Sequence, residues 1–355
     1  MRITDIVVSE IEVPLITPFK TALRTVYAVN NCVVYVHTNT GQIGVGEAAP
    51  TAVITGETKG SIRCAIENYI KPAIVGMEIE NIEGIMHKIN SCIYKNTSAK
   101  AAVDMAIYDL FSLRYEAPLY KILGGFRKQL TTDITISVNG IDEMIQDSLE
   151  AVHKGFSILK IKVGKNPKVD IERIIEIRNA VGDDVVLRVD ANQGWEPKEA
   201  VRIIRHLEDL NMNIELVEQP VKYDDLNGMK FVTANTYTKI LADESVFTPA
   251  DAVSIIENRA ADCINIKLMK TGGIYSALQI CNIAEMNGIE CMIGCMLESK
   301  ISVSAAAHLA AAKRNITMVD LDGPSLCVRD PITGGPVFDN QLITMTDDFG
   351  LGFSI

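Results

Sequence analysis

The feature that most constrains the fold is a regular alternation, from about residue 131 onward, of short strand-like runs with amphipathic helical stretches. Parallel strands need long helical crossovers, and the runs follow each other at intervals of roughly 20 to 30 residues. Eight such units are typical of a TIM-type barrel. A doubly wound open sheet is the alternative, but no GxGxxG turn follows the first run. The predicted strands are Thr131–Ser137, Leu159–Val163, Val185–Asp190, Ile214–Glu218, Ile240–Asp243, Cys263–Lys267, Cys291–Gly294 and Met318–Asp320.

The N-terminal third has a different pattern. Three β-rich stretches predict an antiparallel meander, and apolar residues at helical spacing between Thr58 and Arg114 predict two or three helices. Gly124-Gly125 marks the boundary with the barrel. The predicted strands are Arg2–Val13, Asn31–Thr38 and Ile43–Ala48, with a loop over Thr17–Tyr27. We therefore predict an α+β domain at 1–125, a barrel at 126–322, and a C-terminal segment at 323–355 that packs back on the first domain.

Charge and composition exclude several classes of partner. With 34 basic against 45 acidic residues the net charge is −11, which argues against nucleic acid and against a membrane-binding basic patch. No apolar stretch reaches the roughly 18 to 20 residues that span a bilayer. The N-terminus lacks the pattern of a signal peptide, and the eight cysteines form no CxxC pair. We expect a cytoplasmic protein with reduced thiols, and the oligomeric state, including a homo-oligomer, stays open.

Three carboxylates stand at the ends of consecutive predicted strands: Asp190, Glu218 and Asp243. Catalytic groups of such barrels lie at these ends. Any one carboxylate taken alone is as readily explained as a helix cap or turn residue. Together, three charges aimed at one axis would repel each other unless a cation lay among them. Oxygen ligands without His or Cys favour Mg²⁺.

Lysines flank this group of carboxylates. Lys160 and Lys162 are two residues apart on one predicted strand and should both face the barrel interior, while Lys267 ends a strand on the other side. A lone lysine near a strand end is usually solvated. Beside three carboxylates, we expect Lys162 and Lys267 to face each other across a bound metal.

Asp320 and Asp322 form a second pair at spacing i, i+2, at the end of the last strand. One explanation is a turn into Gly323-Pro324. The other is a binding site for a cationic group of the substrate, such as an ammonium.

These motifs in combination resemble the enolase superfamily, and within it the muconate-lactonizing-enzyme subgroup. The matching pieces are Lys160-Ile161-Lys162, the carboxylates in VDANQGW, ELVEQP and LADES, and Lys267 in INIKLMKTGG. The resemblance covers essentially the whole chain and implies an α+β capping domain over a (β/α)7β barrel. It also implies one Mg²⁺ per subunit held by Asp190, Glu218 and Asp243, with Lys162 and Lys267 as the two catalytic bases.

Within that subgroup, VDLDGP resembles the Asp-x-Asp feature of dipeptide epimerases, where Asp320 and Asp322 would hold the substrate's α-ammonium. Arg24 resembles the residue that meets an acidic side chain in L-Ala-D/L-Glu epimerases, although an ordinary surface arginine is the alternative. Further matches to substrate-contacting positions are Lys160, Thr135 and Cys295. The resemblance implies an isomerase that inverts the C-terminal residue of L-Ala-L-Glu or L-Ala-D-Glu by proton transfer through an enediolate. The alternatives are o-succinylbenzoate synthase, N-acylamino acid racemase and muconate cycloisomerase, of which the o-succinylbenzoate-forming and muconate-lactonizing members act on substrates without that ammonium.

Overall fold

The computed structural model describes residues 1–21 and 24–354. Its N-terminal part contains a three-stranded antiparallel sheet in the order β1–β2–β3, built from β1 (Ile3–Lys20), β2 (Thr25–Thr38) and β3 (Ile43–Ala48). The first two strands extend beyond their predicted ends. Apolar cross-strand pairs such as Val13 with Val29 and Phe19 with Val26 continue the hairpin past a register shift. The loop predicted over Thr17–Tyr27 is therefore wrong for Thr17–Lys20 and Thr25–Tyr27, and its residues 22–23 lie outside the described part of the chain.

Helices of this capping domain pack against the sheet. Their bounds are α1 (Lys59–Ala65), a π-helical turn (Ile66–Ile70), α2 (Lys71–Ile74), α3 (Ile82–Ser91), α4 (Thr97–Arg114) and α5 (Leu119–Leu123). The central helix α4 approaches β3 so closely that a Cβ at Gly46 would lie 1.9 Å from the carbonyl oxygen of Ala102. Glycine is needed there because no side chain fits between the two backbones.

The barrel consists of eight strands in sequential order around one sheet. After a short strand β4 (Gln129–Thr131), the barrel strands are β5 (Ile134–Ile136), β6 (Ile158–Lys162), β7 (Val186–Asp190), β8 (Ile214–Glu218), β9 (Lys239–Ala242), β10 (Cys263–Lys267), β11 (Glu290–Gly294) and β12 (Ile316–Asp320). The first and last strands meet through the backbone bond from Asp133 N to Val319 O, 3.2 Å. The barrel fold is as predicted, with seven strands within two residues of their predicted ends. The first strand is shorter, because Gln129–Thr131 pairs with the C-terminal segment instead.

Helices connect the barrel strands and cover the outside of the sheet. Their bounds are α6 (Ile141–His153), α7 (Pro167–Val181), α8 (Pro197–Asp209), α9 (Leu226–Ala234), α10 (Pro249–Asn258), α11 (Leu268–Thr271), α12 (Ile274–Met286), α13 (Lys300–Ala312) and α14 (Gly323–Leu326). Three of them begin with proline, which lacks the N–H that a first-turn residue leaves unbonded.

Alternating side chains on the strands separate two environments. On β8 and β12, Leu216 and Met318 point into the barrel and join an apolar cluster with Leu241, Cys263 and Met292. Two residues further along the same strands the same face carries charged groups, because side chains on one face recur with period two. The apolar cluster thus forms the floor on which the charged strand ends rest.

The C-terminal segment adds β13 (Thr333–Gly334), β14 (Val337–Asp339), β15 (Leu342–Thr344) and β16 (Phe353–Ser354). It contacts the capping domain, where Leu351 N donates to Asp109 Oδ1 (2.7 Å) and Leu119 N donates to Gly350 O (2.9 Å). Among the described residues, no helix combines the length and the apolar character needed to cross a membrane.

Candidate active site

Strand register brings the predicted site residues to one end of the barrel. Lys162 on β6 is the neighbour of Asp190 on β7, which is the neighbour of Glu218 on β8. Asp243 follows β9, and Lys267 ends β10. Each of these side chains is almost completely buried. Lys162, Asp243 and Lys267 line one pocket together with Asp320 and Asp322. Asp190 and Glu218 do not line it but contact Lys160, which does.

The two predicted bases pair with opposite ends of the carboxylate trio. Lys162 Nζ donates to Asp190 Oδ2 in a short hydrogen bond. On the other side, Lys267 Nζ lies 2.7 Å from Asp243 Oδ2 and 4.0 Å from Glu218 Oε1. Because β6 and β10 lie on either side of β7, β8 and β9, the two lysines flank the trio.

Lys160 lies deeper than either of them, with 1% of its side chain exposed. Its Nζ is 2.6 Å from Glu218 Oε2, 2.7 Å from Asp320 Oδ2 and 3.3 Å from Asp190 Oδ2. Burial opposes its charge, but the surrounding carboxylates, Asp320 first, hold the pKa of Lys160 well above its usual value. Lys160 therefore stays a cation that joins the trio to the carboxylate pair on the last strand.

The buried carboxylates differ in how easily they ionise. Burial raises the pKa of Glu218 to about 7, and the charge of Asp190 adds to this effect. At Asp190 and Asp243 burial acts in the same direction but the adjacent lysines outweigh it, so both pKa values fall below the ordinary range. The two outer members of the trio are thus ionised, each beside its own lysine.

The carboxylate pair of the last strand is fixed by neighbouring groups. Asp320 bonds to Lys160, and despite burial the lysines lower the pKa of Asp320 to about 2. Asp322 Oδ2 accepts a bond of 2.7 Å from the backbone N–H of Thr135. Burial and the Asp320 charge raise the pKa of Asp322 to about 6. The predicted Thr135 thus lies in the pocket and orients Asp322.

Arg24 and Cys295 also line this pocket. Arg24 directly precedes β2 and lines the same pocket as Phe19, and its backbone N–H bonds to Thr21 Oγ1 (3.2 Å). Among residues 1–21 and 24–354, no carboxylate lies within 4.0 Å of its guanidinium. Cys295 follows β11, and burial raises the pKa of its thiol well above the usual value.

The donor chemistry of the trio suits Mg²⁺, since all its ligand atoms would be oxygens. Two further buried oxygens at the pocket, Asn192 Oδ1 and Glu244 Oε2, have no hydrogen-bond partner in the described structure. Buried polar atoms without partners are rare and indicate an additional ligand or water. In this structure each carboxylate of the trio pairs with a lysine. Within the described ranges no three His, Cys, Asp or Glu side chains form a group that could hold a metal ion.

Several residues of the site escaped the sequence analysis. Asn265 Nδ2 donates to Glu218 Oε1 (2.8 Å), and Lys270 Nζ lies 2.7 Å from Asp243 Oδ1. Gly294 leaves room for Asn265 and Lys267, because a Cβ there would lie 2.8 Å from Asn265 Oδ1 and 3.0 Å from Lys267 Cε. The only sequence signal was their proximity to strand ends, which many structural residues share. His308 on α13, in contrast, has a structural contact, since its Nδ1 accepts a hydrogen bond from Tyr120 N (2.9 Å).

Fold and site together define an eight-stranded barrel protein with buried lysines paired to carboxylates at one end of the barrel. The family model for the mandelate racemase / muconate lactonizing enzyme N-terminal domain matches residues 3–124, and the enolase C-terminal domain-like model matches residues 143–355. The chain belongs to this mandelate racemase and muconate lactonizing enzyme family of the enolase superfamily, as the motifs predicted.

Relatives that match over the whole chain include several epimerases. An L-Ala-D/L-Glu epimerase of Clostridium acetobutylicum is 59% identical over 99% of this chain and 98% of its own. A substrate-liganded structure of the L-Ala-D/L-Glu epimerase from Bacillus subtilis is 51% identical, covers 99% of both chains and superposes with a TM-score of 0.99. A dipeptide epimerase from Enterococcus faecalis, solved with Mg and L-Leu-L-Tyr, is 44% identical, covers 100% of both chains and has a TM-score of 0.97. The protein is an isomerase, as predicted, and the magnesium in the last structure supports the predicted cofactor.

Proposed function

We propose that the protein is a magnesium-dependent dipeptide epimerase that interconverts L-Ala-L-Glu and L-Ala-D-Glu. The observation that carries the proposal is the placement of Lys162 and Lys267 on either side of a buried carboxylate trio. Two bases on opposite faces of one carbon allow a proton to leave from one face and return to the other, which inverts the carbon. The epimerases of similar sequence in Clostridium and Bacillus support this choice of substrate.

Asp190, Glu218 and Asp243 would hold the metal ion, one per subunit. Bound there, Mg²⁺ would stabilise the negative charge that develops on the substrate carboxylate as the α-proton leaves. Lys160 contributes in the same direction, because its buried ammonium already lies against Glu218 and Asp320. A positive charge held in a buried site needs no reorganisation when the substrate charge develops.

A lysine that removes a proton must first be neutral. At Lys267, burial lowers the pKa but the carboxylate of Asp243 outweighs it and raises the pKa above the ordinary value. A metal ion held by Asp243 would weaken this pairing while the burial of Lys267 stays, and this would lower the pKa of Lys267 toward the range in which a lysine acts as a base.

The two ends of the substrate would be held by opposite charges. Asp320 and Asp322 would bind the N-terminal ammonium, since both are buried carboxylates on the same pocket wall. Arg24 would bind the γ-carboxylate of a C-terminal glutamate, because it lines the pocket with no carboxylate of the described chain within ion-pair distance.

The proposal is tested by incubating L-Ala-L-Glu with the protein and MgCl₂ in D₂O. The expected products are L-Ala-D-Glu, detected by chiral chromatography, and dipeptide with deuterium at the glutamate α-carbon, detected by mass spectrometry. L-Ala-L-Leu serves as a comparison substrate of similar size. Failure to exchange or invert any dipeptide of a broad panel would contradict the proposed activity.

A further inference from the structure

Lys270 is a completely buried lysine that does not belong to the predicted catalytic set. It lies in α11, with 0% of its side chain exposed. Its Nζ is 2.7 Å from Asp243 Oδ1, donates to the backbone carbonyl of Asp243, and donates to Asn265 O at 2.9 Å. The ring of Phe247 covers it, with the centroid 5.9 Å from Nζ. A buried ammonium is costly unless it is paired, so these three contacts define where Lys270 sits.

These contacts join two neighbouring strand ends. Asp243 follows β9, while Asn265 lies in β10 two residues before Lys267. Asp243 is held by two lysines at once, with Lys270 on Oδ1 and Lys267 on Oδ2. Asn265, whose carbonyl accepts from Lys270, also donates its side-chain amide to Glu218 Oε1 (2.8 Å). Lys270 therefore contacts one proposed metal ligand, Asp243, directly. It also contacts Asn265, which bonds to a second proposed ligand, Glu218, and lies on the strand of the proposed base Lys267.

The two lysines on Asp243 differ in their access to substrate. Lys267 lines the pocket and can release Oδ2 when a metal ion or substrate binds. Lys270 has no exposed surface, and both of its hydrogen bonds go to backbone carbonyls, while its contact with Asp243 Oδ1 is an ion pair. Because Lys270 contacts only Oδ1 of the Asp243 carboxylate, Oδ2 is left available to a cation.

We infer that Lys270 is a positioning residue that orients Asp243 for Mg²⁺ and anchors the end of β10 that carries Lys267. The inference rests on the proposed function. Groups that orient a metal ligand from behind typically account for roughly 10- to 100-fold in metal affinity or activity. Since Lys270 braces the strand of Lys267 and not that of Lys162, its loss should also affect the two faces of the substrate unequally.

The matched control is Lys100, another buried lysine, 6% exposed, in α4 of the capping domain. Its Nζ donates to Asn90 O (3.0 Å). Lys270→Met and Lys100→Met remove the same charge from similarly buried positions, but only Lys270 contacts Asp243. Circular dichroism and thermal melting establish that each variant is folded, and Lys270→Gln, which keeps an amide donor, replaces Lys270→Met if that variant does not fold.

The first measurement is calorimetric titration of the metal-free proteins with MgCl₂, without substrate. The Kd for Mg²⁺ should rise about 10- to 100-fold in the Lys270 variant and stay unchanged in Lys100→Met. An unchanged Kd in a folded Lys270 variant overturns the inference. Wild-type protein that binds no Mg²⁺ would instead contradict the proposed function, so the two failures are distinguishable.

The second measurement compares α-proton exchange of L-Ala-L-Glu and L-Ala-D-Glu in D₂O at saturating Mg²⁺. The stereoisomer that Lys267 serves is the one still exchanged by Lys162→Ala. In the Lys270 variant, exchange of that stereoisomer should fall at least about tenfold more than exchange of the other. An equal loss on both faces would indicate a general structural role and overturn the assignment to Lys267.

Discussion

Arg24 is the pocket residue whose role depends most on the substrate. Burial lowers the pKa of its guanidinium, and no carboxylate of the described chain pairs with it. A charge-assisted bond to a substrate carboxylate is worth about 1.5–3 kcal/mol, which corresponds to roughly 10- to 150-fold in kcat/KM.

Arg24→Met should therefore lower the ratio of kcat/KM for L-Ala-L-Glu over L-Ala-L-Leu by roughly 10- to 150-fold while turnover of L-Ala-L-Leu is largely kept. Steady-state kinetics on both dipeptides measure the ratio, with the exposed Arg329→Met as control. An unchanged ratio would make Arg24 an ordinary surface arginine.

Asp322 allows a test at the other end of the substrate. N-acetylation of L-Ala-L-Glu deletes the ammonium and should reduce kcat/KM by at least about tenfold, because buried carboxylates lose their partner. In Asp322→Asn the penalty for acetylation should be smaller, since one of the two charges is already gone. The four kcat/KM values form a double-mutant cycle. Equal penalties in both proteins would argue against contact between Asp322 and the ammonium.

At the level of elements, buried polar groups hold the capping domain on the barrel. Asp104 of α4 accepts from the backbone N–H groups of Ile274 (2.6 Å) and Tyr275 (3.2 Å) at the start of α12. Glu47 of β3 accepts from Ser299 N (2.9 Å) and Ser302 N (3.0 Å) at the start of α13. Each carboxylate satisfies free donors at a helix N-terminus. These contacts fix β3 and α4 of the capping domain relative to helices α12 and α13 of the barrel.

His308 of α13, which accepts a hydrogen bond from Tyr120 of α5, makes the stability of the fold sensitive to acid. Burial lowers the pKa of His308 to about 3, so the folded protein keeps it neutral while the unfolded chain takes up a proton below pH 6.5. The contribution of neutral His308 to the free energy of unfolding is fully present above pH 6.5. It decreases as the pH falls toward 3, by up to about 1.4 kcal/mol per pH unit.

Replacing His308 by glutamine, which still offers an acceptor to Tyr120 N, should flatten the pH dependence of the unfolding free energy between pH 6.5 and 5. Urea denaturation of both proteins at several pH values gives the comparison. Because all other groups are shared, parallel curves would show that His308 does not titrate differently in the folded and unfolded states.

The elements with regular patterns could be predicted from the sequence, and those fixed by tertiary contacts could not. Seven barrel strands were predictable because each is a buried run ending in a charged or glycine-rich turn. The hairpin was underestimated because the segment ITPFK lacks apolar alternation, although Phe19 and Lys20 pair with Val26 and Thr25. Lys270 and Asn265 escaped notice because their partners lie on other strands. The trio and its flanking lysines were predictable because strand ends converge in a barrel.

For the molecule as a whole, folding and metal binding should be separable. Lys160, Lys162 and Lys267 already pair with the buried carboxylates, so the charges of the site are compensated without a cation. Exhaustive chelation should therefore abolish epimerisation while circular dichroism shows a folded protein, and added Mg²⁺ should restore activity. Glu218→Gln should resist rescue at ordinary Mg²⁺ concentrations. Full turnover after chelation would exclude the metal from the mechanism.

The central claim is that two lysines act from opposite faces of one carbon, and single-lysine variants in D₂O test it most directly. Lys162→Ala and Lys267→Ala should each lower epimerisation by roughly 10²- to 10⁴-fold. Each should still exchange the α-proton of one stereoisomer, and the two variants should retain opposite ones, as mass spectrometry of L-Ala-L-Glu and L-Ala-D-Glu would show. Epimerisation at the wild-type rate by either variant, or retention of the same stereoisomer by both, would contradict the two-base account.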